Sequence, residues 1–240
     1  MSIADNLTEV RRRIDEACAR SDRDPSTVRL MPVSKTKSPA AIREAYDAGY
    51  RVFGENKVQE VVAKAEVLAD VADLRFAVIG HLQTNKAKQV AEVAAELHAL
   101  DSLRLAEALD RRLTGLGRTL DVFVQVNSSG EDSKFGLPPD EVPAFARELD
   151  RFATLRVRGL MTLAVFSDDT ALVGACFQRM RDLQARLQDT DDPERWAELS
   201  MGMSGDYELA IAYGATTVRV GQAIFGDRLD PNDYWPVSGR

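Results

Sequence analysis

The segment Arg29-Leu-Met-Pro-Val-Ser-Lys-Thr-Lys37 runs directly into Ser38-Pro39. Leu30 to Val33 is a short apolar run of the kind that forms a strand buried on both faces. Polar residues then take over, and Ser38-Pro39 supplies a helix cap and a proline suited to a first helical turn. A buried strand that hands over to a helix is the repeating unit of an α/β fold. Its connecting loop lies at the carboxyl end of the sheet, where such folds place their chemistry. Lys35 stands at that point.

Outward from this unit the same alternation repeats. Strand-like runs are expected at 29–33, 50–53, 75–79, 97–100, 121–126, 156–160, 197–201 and 216–220. Helix-like runs lie between them, at 39–48, 57–69, 85–95, 102–116, 139–152, 171–188 and 204–213. An amphipathic helix over 6–20 precedes the first strand, with Leu7, Val10, Ile14, Ala17 and Cys18 at helical spacing. Eight strands in 240 residues match an α/β protein of the (β/α)8 TIM-barrel type, which typically runs to about 250 residues. The alternative is a doubly wound open sheet, which usually has fewer strands. No Ser/Gly-rich linker divides the chain, so residues 1–240 are read as a single domain. The acidic stretch 188–193 reads as a loop, and 230–240 as a tail whose Trp235 packs on the body.

Composition narrows the classes of function. An apolar fraction of 45% supports a sizeable core. A net charge of -7 argues against a general nucleic-acid binder. Cys18 and Cys176 both fall in helix-like segments and read as small core residues. Two histidines without a Cys/His cluster give no zinc signature. The start, Met1-Ser-Ile-Ala-Asp-Asn6, lacks the pattern of a signal peptide. No stretch approaches the ~20 apolar residues that span a bilayer. The expectation is a reduced, cytoplasmic protein without membrane attachment.

Active residues of such barrels sit on the loops that follow the strands. Here those loops carry Ser34-Lys-Thr-Lys37, Gly54-Glu-Asn56, Gly80-His-Leu-Gln-Thr-Asn-Lys86, Asn127-Ser128 with Asp132-Ser-Lys-Phe-Gly136, Gly159-Leu-Met-Thr162, Gly202-Met-Ser-Gly-Asp206 and Gly221-Gln-Ala-Ile-Phe-Gly226. Ser204 is a good N-cap, and Gly202 and Gly205 let backbone amides approach a ligand. A helix N-terminus suits a phosphate, and phosphate sites in these barrels commonly follow the seventh and eighth strands, where Gly221 lies. The same Ser-Gly pair is also plain turn chemistry. Lys35 could form a Schiff base with an aldehyde if burial or a nearby cation lowers its pKa. In a closed barrel the eighth strand neighbours the first. A ligand with an aldehyde at one end and a phosphate at the other would span Lys35 and the Ser204–Gly221 region, and pyridoxal 5'-phosphate (PLP) has that shape.

The ordered motifs Val33-Ser-Lys-Thr-Lys37, Phe53-Gly-Glu-Asn56 with Val58-Gln-Glu60, Ile79-Gly-His-Leu-Gln-Thr-Asn-Lys86, Gly159-Leu-Met161, Leu199-Ser-Met-Gly-Met-Ser204 and Val218-Arg-Val-Gly221 with Ala223-Ile-Phe-Gly226 resemble the pyridoxal phosphate homeostasis protein family. They run in family order over nearly the whole chain. One departure is Phe76-Ala77-Val78, where the family usually carries an aromatic-His pair. The resemblance implies a barrel of the alanine-racemase N-terminal-domain type with an extra N-terminal helix. It implies PLP held as a Schiff base on Lys35, with its phosphate against Ser204, Gly205 and the stretch from Arg219 to Gly221. Asn56 and His81 would line the pocket. Met201 and Met203 would lie close to the cofactor, although both also read as core residues at a strand end.

The resemblance also places Arg219 against the pyridine nitrogen. A guanidinium donates a hydrogen bond but hardly gives up a proton, so the ring stays a weak electron sink. An ion pair at a strand end is the plainer reading of this arginine. The implied function is a non-enzymatic PLP carrier, monomeric, with apo-enzymes as acceptors. Lys37 is either a relay amine in that transfer or a solvated lysine. A PLP-dependent racemase or lyase is the competing reading. It needs a second proton donor, and Tyr207 and Tyr213 both fall in an expected helix. A scaffold that merely senses PLP is the third.

Overall fold

The computed structural model describes residues 2–226. The chain opens with α1 (Ile3–Arg20), capped by a reciprocal pair between Ser2 and Asp5. Its buried residues are Leu7, Val10, Ile14, Ala17 and Cys18, the stripe expected from their spacing. Strands and helices then alternate: β1 (Arg29–Pro32), α2 (Pro39–Asp47), β2 (Val52–Glu55), α3 (Val58–Val67), β3 (Arg75–Val78), α4 (Ala87–Val93), β4 (Glu96–Leu100), α5 (Leu103–Leu116), β5 (Leu120–Val126), α6 (Val142–Leu149), β6 (Leu155–Thr162), α7 (Thr170–Gln188), β7 (Glu198–Ser200), α8 (Tyr207–Ala212), β8 (Thr217–Val220) and α9 (Gln222–Phe225).

All eight expected strands form, and they pair in parallel in the order β1-β8-β7-β6-β5-β4-β3-β2. β1 and β8 are neighbours, which a doubly wound sheet does not allow. A bridge between Val33 and Gly54, with Ser34 N donating to Gly54 O at 3.0 Å, joins the remaining edges. The fold is therefore a (β/α)8 barrel.

Two packed regions result. Ile42, Val61, Val90, Leu109, Phe177 and Ile211 belong to the large apolar core that includes the helices' inner faces. Met31, Ala77, Phe123 and Met161 are buried outside that core, and a set of buried polar side chains crosses between strands that are not neighbours. The register of β6 on β5 slips after Val157, so that Gly159 rather than Arg158 opposes Phe123. A Cβ on Gly159 would sit 1.8 Å from the Glu198 carbonyl oxygen. Only glycine fits this bulge.

Several boundaries differ from expectation: β2 lies at Val52–Glu55 rather than 50–53, and α4 is trimmed to Ala87–Val93 from 85–95. α8 begins at Tyr207 rather than at 204, because Ser204-Gly205 form a turn and Asp206 accepts from Met203 N at 2.6 Å. Ser204 is thus not the helix cap. α6 begins at Val142 rather than at 139. The loop after β8 contains the four-residue helix α9, too short to show a helical period in sequence. The tail 230–240 with Trp235 lies outside the described residues.

Candidate functional site

A cavity of about 730 Å³ opens at the carboxyl end of the barrel. Lys35, Asn56 and His81 line one side, and Ser204, Gly205, Arg219 and Gly221 line it from β7 and β8. Seven of the eight residues expected from sequence thus meet in one space. Met201 does not line it. That side chain is fully buried in the apolar core, its backbone tied to Thr217 O, and partly exposed Met203 lines the cavity instead. Lys37 also lines the cavity and is buried, so it is not a solvated lysine.

Lys35 is held by its neighbours on both sides. The Ser34 hydroxyl donates to Glu55 Oε1 at 2.6 Å, and the Ser34 carbonyl accepts from Lys64 Nζ at 2.9 Å. Thr36 adopts a left-handed conformation (φ 61°), and its backbone N–H donates to Glu60 Oε2 at 2.8 Å. Lys64 is fully buried and reaches Glu55 at 2.7 Å and Glu60 at 3.1 Å, which satisfies its three protons. Burial pushes the Glu55 carboxyl up, against the opposing pull of Lys64 and Ser34. Sequence reading missed this cluster. Its one signal was the spacing Val61, Lys64, Leu68, which puts the lysine on the apolar face of α3.

Asn56 and His81 are brought together by a close approach of two loops. A Cβ on Gly80 would lie 2.3 Å from Asn56 O, so only glycine lets the loop after β3 touch the loop after β2. The His81 ring stacks on Phe135, centroids 3.7 Å apart and planes 8° from parallel. Its Nδ1 lies 3.3 Å from Asp101, whose carboxyl is pushed up by burial.

Arg219 is 3% exposed. It donates from Nη1 to Ser200 Oγ at 2.7 Å and from Nη2 to Thr162 O at 2.8 Å. Both acceptors are neutral, so the strand-end ion pair is not what holds it. Burial pushes its pKa down to about 10, with the Asp206 charge opposing, and it remains a cation at neutral pH. Chemically, the cavity offers a lysine on one wall, a small-residue loop opposite, and a fixed donor cation between them.

A family model for the alanine racemase N-terminal domain matches residues 5–229. The chain is 45% identical over 228 residues to the pyridoxal phosphate homeostasis protein of Pseudomonas aeruginosa, a match covering 95% of this chain and 96% of that protein. The corresponding protein of Aquifex aeolicus is 37% identical over 228 residues, covering 95% of this chain and 99% of the relative. Among solved structures, PipY of Synechococcus elongatus with PLP bound has a TM-score of 0.82 at 40% identity, covering 94% of this chain and 100% of that one. The alanine racemase of Streptomyces coelicolor shares the fold, with a TM-score of 0.70 at 19% identity over 94% of this chain and 60% of its own. Matches at this identity, spanning nearly the full length of both partners, make the chain a member of the pyridoxal phosphate homeostasis protein family.

Proposed function

We propose that the protein binds PLP in this cavity, as a Schiff base on Lys35, and serves PLP homeostasis in the cytoplasm as a monomeric carrier without catalytic turnover. The observation that carries the reading is Arg219, a buried cation with two neutral anchors in the same cavity as Lys35. The residues fit the group: an amine for the aldehyde, Ser204 and the backbone near Gly205 and Gly221 for the phosphate, and a donor for the ring nitrogen. When bound, PLP supplies an aldehyde that captures amines reversibly and a ring that can accept electrons.

The residues of this chain favour capture over turnover. Arg219, with its pKa near 10, keeps its proton at neutral pH and would orient the ring by donating a hydrogen bond to it. A donor that does not give up its proton would leave the ring nitrogen of bound PLP unprotonated and the ring a weaker electron sink. A two-base racemase would need a second proton donor facing the substrate. Tyr207 and Tyr213 do not line the cavity; Tyr207 is fully buried and Tyr213 packs against Phe177. Release to apo-enzymes requires a competing amine, and buried Lys37 beside Lys35 is the internal candidate.

The test is the visible spectrum of the purified protein with added PLP, beside Lys35→Ala, before and after borohydride. A yellow band in the parent, absent from the variant and fixed on Lys35 by reduction, supports the site. A panel of amino acids that yields no turnover while PLP passes to an apo-enzyme supports the carrier. A parent that stays colourless with PLP sinks the reading.

A further inference from the structure

Beneath the cavity a line of polar groups, buried except for the half-buried Arg29, crosses the barrel. Arg29, at the start of β1, pairs with Glu96 of β4 through two bonds of 2.6 and 2.9 Å. Glu96 Oε2 lies 2.8 Å from His98 Nε2, and His98 Nδ1 lies 2.9 Å from Ser200 Oγ of β7. Ser200 Oγ accepts from Arg219 Nη1. β1 and β4 are not sheet neighbours, nor are β4 and β7, so these bonds pass through the barrel interior. His98 and Ser200 are fully buried, and Phe123 stacks on the imidazole at 4.0 Å.

The proton positions along this line are fixed by the chemistry of its ends. Burial alone would raise the Glu96 carboxyl, but His98 and Arg29 outweigh it and hold it down to about 2. Burial pushes His98 down to about 4, so the ring is neutral at pH 7. An ionised carboxylate only accepts, which puts the single imidazole proton on Nε2 and leaves Nδ1 as an acceptor. A guanidinium only donates, so Ser200 Oγ accepts a hydrogen bond from Arg219 and donates its own hydroxyl hydrogen bond to His98 Nδ1. The donors therefore run one way, from Arg219 through Ser200 and His98 to Glu96. Aligned bonds of this kind polarise one another, so the negative charge of Glu96 acts on Arg219 from beneath the cavity, in addition to that of Asp206 on the cavity wall.

We propose that Ser200 and His98 are positioning residues, which, backed by Glu96, fix the Arg219 guanidinium against the ring of the bound cofactor. This rests on the PLP reading of the cavity. Ser200 anchors Nη1 and the Thr162 carbonyl anchors Nη2, so the plane of the guanidinium is set before any ligand enters. An arginine fixed in this way loses less side-chain entropy on binding than one that must be ordered. The alternative is a polar filling of the barrel with no bearing on the cavity.

The experiment compares the parent with Ser200→Ala, Ser200→Thr and Glu96→Gln, using PLP as the probe. ¹⁵N NMR of the ligand-free parent should show the Nε2–H tautomer of His98. Glu96→Gln removes the obligate acceptor and should increase the Nδ1–H form. Ser200→Ala should weaken PLP binding about tenfold, the worth of one such hydrogen bond, and shift the absorbance maximum of the bound chromophore. Ser200→Thr keeps the hydroxyl and should restore both. If Ser200→Ala and Glu96→Gln fold by circular dichroism and keep the parent's affinity and maximum, the line is filling only. An Nδ1–H tautomer in the parent overturns the proposal even if a variant fails to fold. A parent that takes up no PLP overturns the cavity reading itself. A yellow parent with unaltered variants overturns only the role of Ser200 and His98.

Discussion

Lys35 was legible because a lysine directly after a buried strand breaks the apolar run at the one point where a barrel exposes its chemistry. Lys64 was not, because a lysine in a helix reads first as solvated, and only its three contacts across the fold reveal it as buried. Met201 and Met203 could not be told apart by type; the turn at Gly202 (φ 94°) sends one into the core and the other to the cavity. Lys64→Met should therefore do two separable things. It leaves Glu55 buried and unpaired, which costs about 3–5 kcal/mol of stability in a urea titration. It also removes the donor on the Ser34 carbonyl and loosens Lys35. Adding Glu55→Leu to Lys64→Met should recover much of the stability but not the PLP affinity. Recovery of both would mean that the cluster does not position Lys35.

At the scale of elements, every strand was visible as a run with apolar residues bounded by polar or glycine-containing loops, even where a strand carries polar residues, as β7 (Glu198–Ser200) does. The starts of α8 and α6 and the single turn of α9 escaped, since neither α6 nor α8 carries a side-chain cap that sequence could show, and α9 is too short for a helical period. Asp206 rather than Ser204 closes the turn ahead of α8. The loop nevertheless delivers Ser204 and Gly205 to the cavity, and two glycines separate fold from binding. Gly159→Ala drives a methyl into the Glu198 backbone of the adjacent strand, which neither strand can yield without breaking its ladder. The expected loss is about 3 kcal/mol, or roughly 10 °C in a thermal melt. Gly205→Ala meets nothing within 4 Å, so its melt should stay within about 0.5 kcal/mol of the parent. Its methyl adds bulk to the loop proposed for the phosphate, and PLP affinity measured by absorbance titration should fall. An unchanged affinity would argue that the phosphate sits elsewhere.

For the whole molecule, closure of the sheet creates an interior that a strand-by-strand reading does not show. Glu96 and His98 on β4 and Ser200 on β7 are far apart in sequence, yet they are linked across the barrel. Their burial makes stability depend on pH. His98 has an ordinary pKa of 6.5 and is held at about 4 in the fold. Between these values the unfolded chain binds the proton and the folded chain does not, so stability falls as pH drops from 6.5 to 4. The size of this effect is on the order of 3 kcal/mol. Glu96, held at about 2, adds a loss in the same direction below its ordinary value of 4.5. Glu55, Asp101 and Asp206 oppose it, because burial raises their carboxyls and the fold then gains relative stability as they protonate. The net profile of the parent therefore does not isolate the interior, but a difference does. His98→Gln removes one titration and leaves the three raised carboxyls in place. Urea midpoints of parent and variant, measured from pH 7 to pH 4, should converge as pH falls, with the variant less stable at pH 7 and the gap narrowing below about 6.5. Parallel profiles would mean that His98 is protonated as readily in the fold as in the unfolded chain, and the one-way arrangement of donors through the barrel would be wrong.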